Sequence, residues 1–336
     1  MIKFYKLLFF NILLISTMIV ISSFSWLMTW MGLEINLMAM IPLMKQFKNK
    51  FSAEASMKYF IIQAMASMLF LFSIIIFTNT DKIYSEMFAF SSIFINSALL
   101  MKIGAAPFHF WLPEVVKGLN WEMIFIILTW QKIAPSILIF YTTKIPMFFS
   151  IIIILSSLIS GIQGLNQTCL RKIMAYSSIN HISWMISTIL NSITLWIYYF
   201  TIYSIISLNM IIIFNYYKIY EINQLNKIFS FNKKMKFFFM LNFLSLGGLP
   251  PFLGFFPKWM TIFQLTTNYY YTLIFFLIIF TLITLFLYLR ISFSSFSLSN
   301  KESLIKFSNK ISYYHFFINF LSLLSLLICL TLANLY

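Results

Sequence analysis

Apolar residues in this chain run in long unbroken stretches, and short polar clusters separate one stretch from the next. A helix needs about 20 apolar residues to cross the hydrocarbon core of a bilayer. The runs predict eleven such helices, at 4–23, 24–44, 57–78, 87–111, 121–142, 147–166, 172–190, 194–216, 237–260, 269–290 and 313–335. The first follows Lys3 and Lys6, as a signal peptide would. It is too long for a signal core and lacks a small-residue cleavage site, so it reads as a span. The expected fold class is an all-α polytopic membrane protein forming a single membrane domain.

Composition agrees with this pattern. Of 336 residues, 61% are hydrophobic and 9% charged, against about 25% charged in an ordinary soluble chain. Mean hydropathy is +0.90, which excludes both a soluble enzyme and a disordered chain. The longest polar stretches, Lys218 to Lys236 and Ile291 to Ser312, are too short for a domain. The chain therefore has no room for a cofactor-binding module.

The net charge of +15 would suggest nucleic acid in a soluble protein, but its distribution says otherwise. If every span crosses, 18 of the 23 Lys and Arg fall on the side of the N-terminus, among them Lys6, Lys58, Lys117, Arg171, Lys218 and Arg290. Only Lys82 and Lys144 fall opposite, and Lys102, Lys132 and Lys258 lie inside apolar runs. One miscounted span would scramble this asymmetry. The positive-inside rule thus favours eleven crossings, with the N-terminus on the positive side and Tyr336 on the other. The basic charge belongs to a membrane face and implies lipid, not nucleic acid.

Charges inside the spans are the candidate chemistry. A Lys or Asp at the bilayer centre costs about 2.5–3.5 kcal/mol on insertion scales, so such residues face a bundle interior or a wet cavity. Glu34 lies about ten residues from either end of its run, too deep to reach water; its bland alternative is a neutral carboxyl packing a helix interface. Lys132 is central in its run and would have to snorkel roughly 13 Å of helix rise. Lys102 and Lys258 lie nearer the ends of their runs, where snorkelling is the alternative.

Two of these lysines sit beside helix-breaking residues. Lys102 precedes Gly104, Pro107 and Pro113, and Lys258 follows Gly248, Pro250, Pro251, Gly254 and Pro257. Such residues remove helical hydrogen bonds, and unwound backbone at membrane depth is tolerated only inside protein or along wet cavities. The breaks fall in spans four and nine, corresponding places in two successive five-span units. An odd number of spans per unit inverts the second relative to the first, which is a transporter signature. The expected layout is 1–145 and 146–292 as inverted five-helix repeats, then 293–336 as a connector and C-terminal helix. In span seven, Ser177, Asn180, His181, Trp184 and Thr188 share one predicted face. They read as a water chain with His181 as a proton shuttle, or as polar glue between helices.

Other chemistry is missing from the sequence. Cys169 and Cys329 lack disulfide or zinc spacing. There is no phosphate loop, nucleophile elbow or His pair suited to haem.

At these residues the chain resembles the NADH dehydrogenase subunit 2 family of mitochondrial respiratory complex I, in its short animal form. The matching segments are WMGLEINLMAMIPL, SAEASMKYFIIQAMAS, MKIGAAPFHFWLPEV, LTWQKIAP, GLNQTCLRKIMAYSSINHISWM and SLGGLPPFLGFFPKW, in the family's order. The resemblance implies an antiporter-like proton-translocating subunit of the membrane arm, in the mitochondrial inner membrane with its N-terminus in the matrix. It implies roles for Glu34 and its partner Lys102, for the central Lys132 and for Lys258, with His181 on the polar axis. It places NADH, flavin (FMN), iron–sulfur clusters and ubiquinone on partner subunits, and neighbouring antiporter-like subunits beside this one. The residues alone leave two rivals open, a free-standing cation/proton antiporter and a structural scaffold.

Overall fold

The computed structural model describes residues 4–45, 49–80, 85–143, 145–229, 233–250 and 252–296. Lys3, Lys48, Lys82, Lys144, Pro251, Lys301, Lys306, Lys310, Cys329 and the expected span 313–335 lie outside the described residues. The described residues are helical, apart from turns and one isolated bridge between Cys169 and Glu221. They form two compact units, Met1–Leu155 and Ser156–Tyr336.

The first unit begins with α1 (Phe4–Ser22) and α2 (Trp26–Met44), joined by a three-residue turn. Ser25 caps α2, its hydroxyl accepting from the Met28 N–H at 3.4 Å. The two helices pack closely because Gly32 faces Val20; a Cβ at Gly32 would lie 2.6 Å from the valine side chain. Small residues at such contacts let membrane helices approach. Next come α3 (Lys50–Thr80), α4 (Ser85–Ile103), α5 (Trp111–Gly118), α6 (Trp121–Leu128) and α7 (Trp130–Thr142). Helix α3 packs on α2, α4 and α5, and α4 packs on α7. Gly118 ends α5 against the start of α3, where a Cβ would meet the Phe51 carbonyl at 2.5 Å.

α8 (Pro146–Leu165) runs across the boundary between the units. The second unit continues with α9 (Leu170–Ile189), α10 (Ile193–Tyr217), α11 (Ile222–Phe229), α12 (Lys233–Gly247), α13 (Phe255–Thr267) and α14 (Tyr271–Phe296). Helix α9 is enclosed by α10, α13 and α14. The Cys169–Glu221 bridge ties two connectors together, with Leu170 N–H donating to the Tyr220 carbonyl at 2.9 Å and Ile222 N–H to Thr168 at 3.2 Å.

Seven of the described helices, with α6 and α7 taken together as one, are long and apolar enough to cross a membrane. Their outward faces expose Phe4, Ile15, Met38, Met65, Phe72, Ile151, Phe275 and Leu282. So much exposed apolar surface is a face for lipid or other membrane protein, not for water. The chain is an all-helical, multi-pass membrane protein.

Three details differ from the sequence reading. The broken spans are longer than expected, running from α4 through α5 to Gly118 and from α12 through α13 to Thr267, because an unwound segment uses residues without helical rise. Within the polar stretch after Lys218 there is a short helix, α11, amphipathic along its length. Finally, α9 is buried on all sides rather than polar along one stripe: seventeen of its twenty residues, from Leu170 through Ile189, are buried. A helix wholly surrounded by protein has no lipid face to keep apolar, so its serines, Asn180 and His181 distribute around it.

Candidate functional site

In the first unit the site is built around the break between α4 and α5. Lys102 occupies the last turn of α4 and is 7% exposed. Gly104 then takes φ +82°, a left-handed conformation that favours glycine. Three backbone carbonyls in the last turn of α4 find donors at the break. Gly104 and Ala105 N–H groups donate to Leu100 at 2.9 and 3.1 Å. The Trp111 indole donates to Met101 at 3.1 Å, and the Gln63 side chain from α3 donates to the Lys102 carbonyl at 3.3 Å. Such accounting is what allows irregular backbone at membrane depth.

Glu34, half-buried on α2, acts on Lys102 through space rather than by contact. Lys58, by contrast, makes true ion pairs, 2.9 Å to both Glu54 and Glu114. Those three charges are exposed and lie where α3 and α5 meet.

Lys132 is 2% exposed in the first turn of α7. Its span is interrupted just before it. α6 ends at Leu128, Thr129 takes φ −118° and ψ −75°, and the Lys132 N–H donates to the Thr129 carbonyl at 3.0 Å. Pro135 cannot donate to Gln131 four residues back, and the Ser136 hydroxyl instead binds the Lys132 and Ile133 carbonyls at 2.6 and 2.8 Å. The Gln131 side chain crosses to α2, donating to Asn36 Oδ1 at 2.8 Å.

In the second unit the lysine follows its break instead of preceding it. Lys258 lies in the first turn of α13 and is 6% exposed. Its Nζ donates to the Gly247 carbonyl at 2.8 Å and reaches Leu246 at 3.4 Å, both exposed by unwinding at the end of α12. Gly248 has φ +79°, and a Cβ there would meet the lysine side chain at 2.8–3.1 Å. Pro250 lies in the same break. The ammonium also sits 5.9 Å from the centroid of the Trp184 ring on α9, a cation–π distance.

One turn before Trp184, His181 is 4% exposed, with its Nδ1 2.9 Å from the Tyr199 hydroxyl. The Tyr203 ring lies 4.8 Å from the imidazole. Asn180 points the other way, donating to Thr284 of α14 at 3.1 Å. The predicted single face of α9 therefore divides, His181 toward α10 and Asn180 toward α14.

The structure thus gathers Glu34, Lys102 and the Gln131–Lys132 turn in the first unit, and Lys258, Trp184 and His181 in the second. Sequence reasoning missed Asn36, Gln63 and Gln131, although each is a polar residue in an apolar run, and missed the tyrosines around His181. Among the described residues no cluster of three or more His, Cys, Asp or Glu could hold a metal ion.

Comparison with known proteins gives this arrangement a family. The profile of the NADH:quinone oxidoreductase/Mrp antiporter transmembrane family matches residues 23–284. The chain is 46% identical over 325 residues to NADH-ubiquinone oxidoreductase chain 2 of Anopheles gambiae, covering 94% of each. It is 48% identical over 327 residues to that of Aedes aegypti, covering 96% of each. Among solved structures, a chain of respiratory complex I from Thermus thermophilus matches with a TM-score of 0.85 at 20% identity, over 98% of this chain and 78% of that one. A chain of the Mrp complex from Dietzia sp. DQ12-45-1b matches with a TM-score of 0.76 at 12% identity, over 96% and 74%. These two are likenesses of fold. On the profile and the insect relatives, the chain belongs to the NADH:quinone oxidoreductase/Mrp antiporter transmembrane family, among its NADH-ubiquinone oxidoreductase chain 2 proteins.

Proposed function

We propose that this chain is an antiporter-like, proton-translocating core subunit of the membrane arm of NADH:ubiquinone oxidoreductase, respiratory complex I. Its relatives carry that enzyme's name, and their animal origin supports a location in the mitochondrial inner membrane. The observation that carries the translocating role is the burial of Lys102, Lys132 and Lys258, each beside an interruption of its own helix. A fixed hydrophobic span would not keep three costly ammonium groups inside it.

In this reading Glu34 and Lys102 form a pair whose separation changes in response to a neighbouring subunit. The change in field at Lys132 alters its hold on a proton, and Lys258, with His181 as a relay, carries the later step toward the opposite side. Moving one proton against 100 mV costs about 2.3 kcal/mol. This chain has no redox group of its own in this reading. NADH, FMN, iron–sulfur clusters and ubiquinone belong to partner subunits, and quinone reduction there supplies the energy. Neighbouring antiporter-like subunits and lipid complete its surroundings.

The layout is eleven spans with the N-terminus in the matrix and the C-terminus in the intermembrane space. The seven long apolar helices, α9 and the two broken helices account for ten of them, and residues 313–335 are the eleventh. Spans one to five and six to ten are the two inverted repeats, 1–145 and 146–292, followed by 293–336. The paired breaks support that symmetry.

Lys132→Met tests the role directly. The complex should assemble and oxidise NADH, with proton pumping impaired; full pumping in the assembled variant would remove Lys132 from the mechanism. Finding the chain in the NADH-oxidising band of a native gel tests membership of the complex, and its recovery only in a small separate band would favour a free-standing antiporter.

A further inference from the structure

Four polar side chains from four helices of the first unit meet at one small pocket. Asn36 comes from α2, Gln63 from α3, Lys102 from α4 and Gln131 from α7; the Tyr59 ring closes a side. The pocket measures about 10 Å³, near the least space that holds one water, and a buried water needs two to four polar partners. Asn36, Gln63 and Lys102 are each more than nine-tenths buried, so polar groups so placed require partners.

The two side-chain amides already engage one another, Gln131 Nε2 donating to Asn36 Oδ1 at 2.8 Å. Each amide has a second polar atom to offer, a carbonyl on Gln131 and an N–H on Asn36. Gln63 is oriented by its bond to the Lys102 carbonyl. Gln131 adjoins Lys132, in a turn that begins at the Thr129 interruption and whose Gln131 carbonyl is denied its helical donor by Pro135. This turn is less firmly held than an uninterrupted one.

We infer that the pocket binds one water, and that the Gln131–Asn36 pair positions it between the Lys102 ammonium and the first turn of α7. The pair reads the charge on Lys102 and conveys it to Lys132. A charged Lys102 donates to the water, which turns its hydrogens toward the Gln131 carbonyl and holds the amide pair as found. A neutral Lys102 accepts one of the water's two hydrogens instead, so that the water divides its donors between Lys102 and Gln131 and holds the turn that carries Lys132 less firmly. The amides carry no proton themselves; Gln131 and Asn36 are positioning residues. This inference rests on the roles proposed above for Lys102 and Lys132.

The test is Gln131→Met, near in size but without the amide, measured in the intact complex as protons pumped per NADH oxidised across a range of pH. Assembly and NADH oxidation should persist while the pumping ratio falls and its pH profile shifts. Asn36→Leu should do the same, and the double variant should be no worse than either single one, because both remove the same pair. An assembled Gln131→Met complex with an unchanged ratio and profile overturns the inference, and so do additive losses. Interhelical glue alone would lower assembly without moving the pH profile. Where a variant does not assemble, density in the wild-type complex decides: a water within hydrogen-bonding distance of Lys102 Nζ and of the Gln131 or Asn36 amide supports the inference, and its absence overturns it. Lys132→Met measured alongside separates the levels. If Lys132→Met also pumps fully, the parent reading fails; if only Gln131→Met does, this inference fails alone.

Discussion

Lys258 shows how a single residue is made costly and then accommodated. Its ammonium leaves water for the interior of the second unit, and backbone unwinding at Gly247 and Gly248 supplies carbonyl acceptors in return. Two adjacent glycines do different work there. Gly248 is left-handed at φ +79°, and an added Cβ would press on Lys258. Gly247 still belongs to α12, and a Cβ on it would find its nearest neighbour at an ordinary 3.5 Å. Gly248→Ala should therefore cost about 1–2 kcal/mol for the backbone and displace the lysine as well. Its complex should inactivate at lower temperature and pump fewer protons per NADH. Gly247→Ala should match the wild type or gain up to about 1 kcal/mol from helix propensity. Equal behaviour of the two variants in heat inactivation and pumping would contradict this account of the break.

At the scale of elements, the second broken helix is held together by the near-contact of its two arms. Gly254 lies so close to the Ser245 carbonyl that an added Cβ would fall 1.7 Å from the oxygen. No side-chain rearrangement relieves a clash with backbone, so Gly254→Ala should force α12 and α13 apart. The expected outcome is loss of the assembled complex on a native gel, where Gly247→Ala assembles; normal assembly of Gly254→Ala would show that the arms are not locked. Both long breaks were legible in the sequence, because Gly104, Pro107, Gly248 and Pro250 are helix breakers in apolar runs. The interruption at Thr129 was not, since neither Thr129 nor Trp130 is a helix breaker. The buried lysines stood out for the same reason the breaks did, as local violations of an apolar pattern. The Asn36–Gln63–Lys102–Gln131 pocket did not, because it joins four helices that are far apart in the chain. The full burial of α9 was equally hidden: Ser177, Asn180, His181, Trp184 and Thr188 share one predicted face, and nothing in the local pattern marks the remaining faces as buried too.

For the molecule as a whole, the connectors between spans carry the topology. Charge alternation assigns each connector to a side of the membrane, and connectors on one side of a unit are free to touch. Lys58 and Glu114, which the alternation puts on the positive side, pair at 2.9 Å. Leu170 and Tyr220 near two other positive-side connectors bond at 2.9 Å, and Asn191 and Asn268, both expected opposite, bond side chain to side chain at 2.7 Å. A wrong span count within either unit would have put one member of such a pair across the bilayer from the other. These contacts support the topology proposed for the described spans and make it testable with two exposed positions, Lys117 and Asn268. Lys117→Cys and Asn268→Cys, each in a background with Cys169 and Cys329 changed to serine, should react with a membrane-impermeant maleimide from opposite sides. In sealed mitoplasts the cysteine at 268 should label and that at 117 should not; in inverted inner-membrane vesicles the pattern should reverse. Detergent-solubilised complex, in which both should label, checks that partner subunits leave the two positions open. Labelling of both from one side would overturn the alternation, and with it the assignment of the basic charge to a single membrane face.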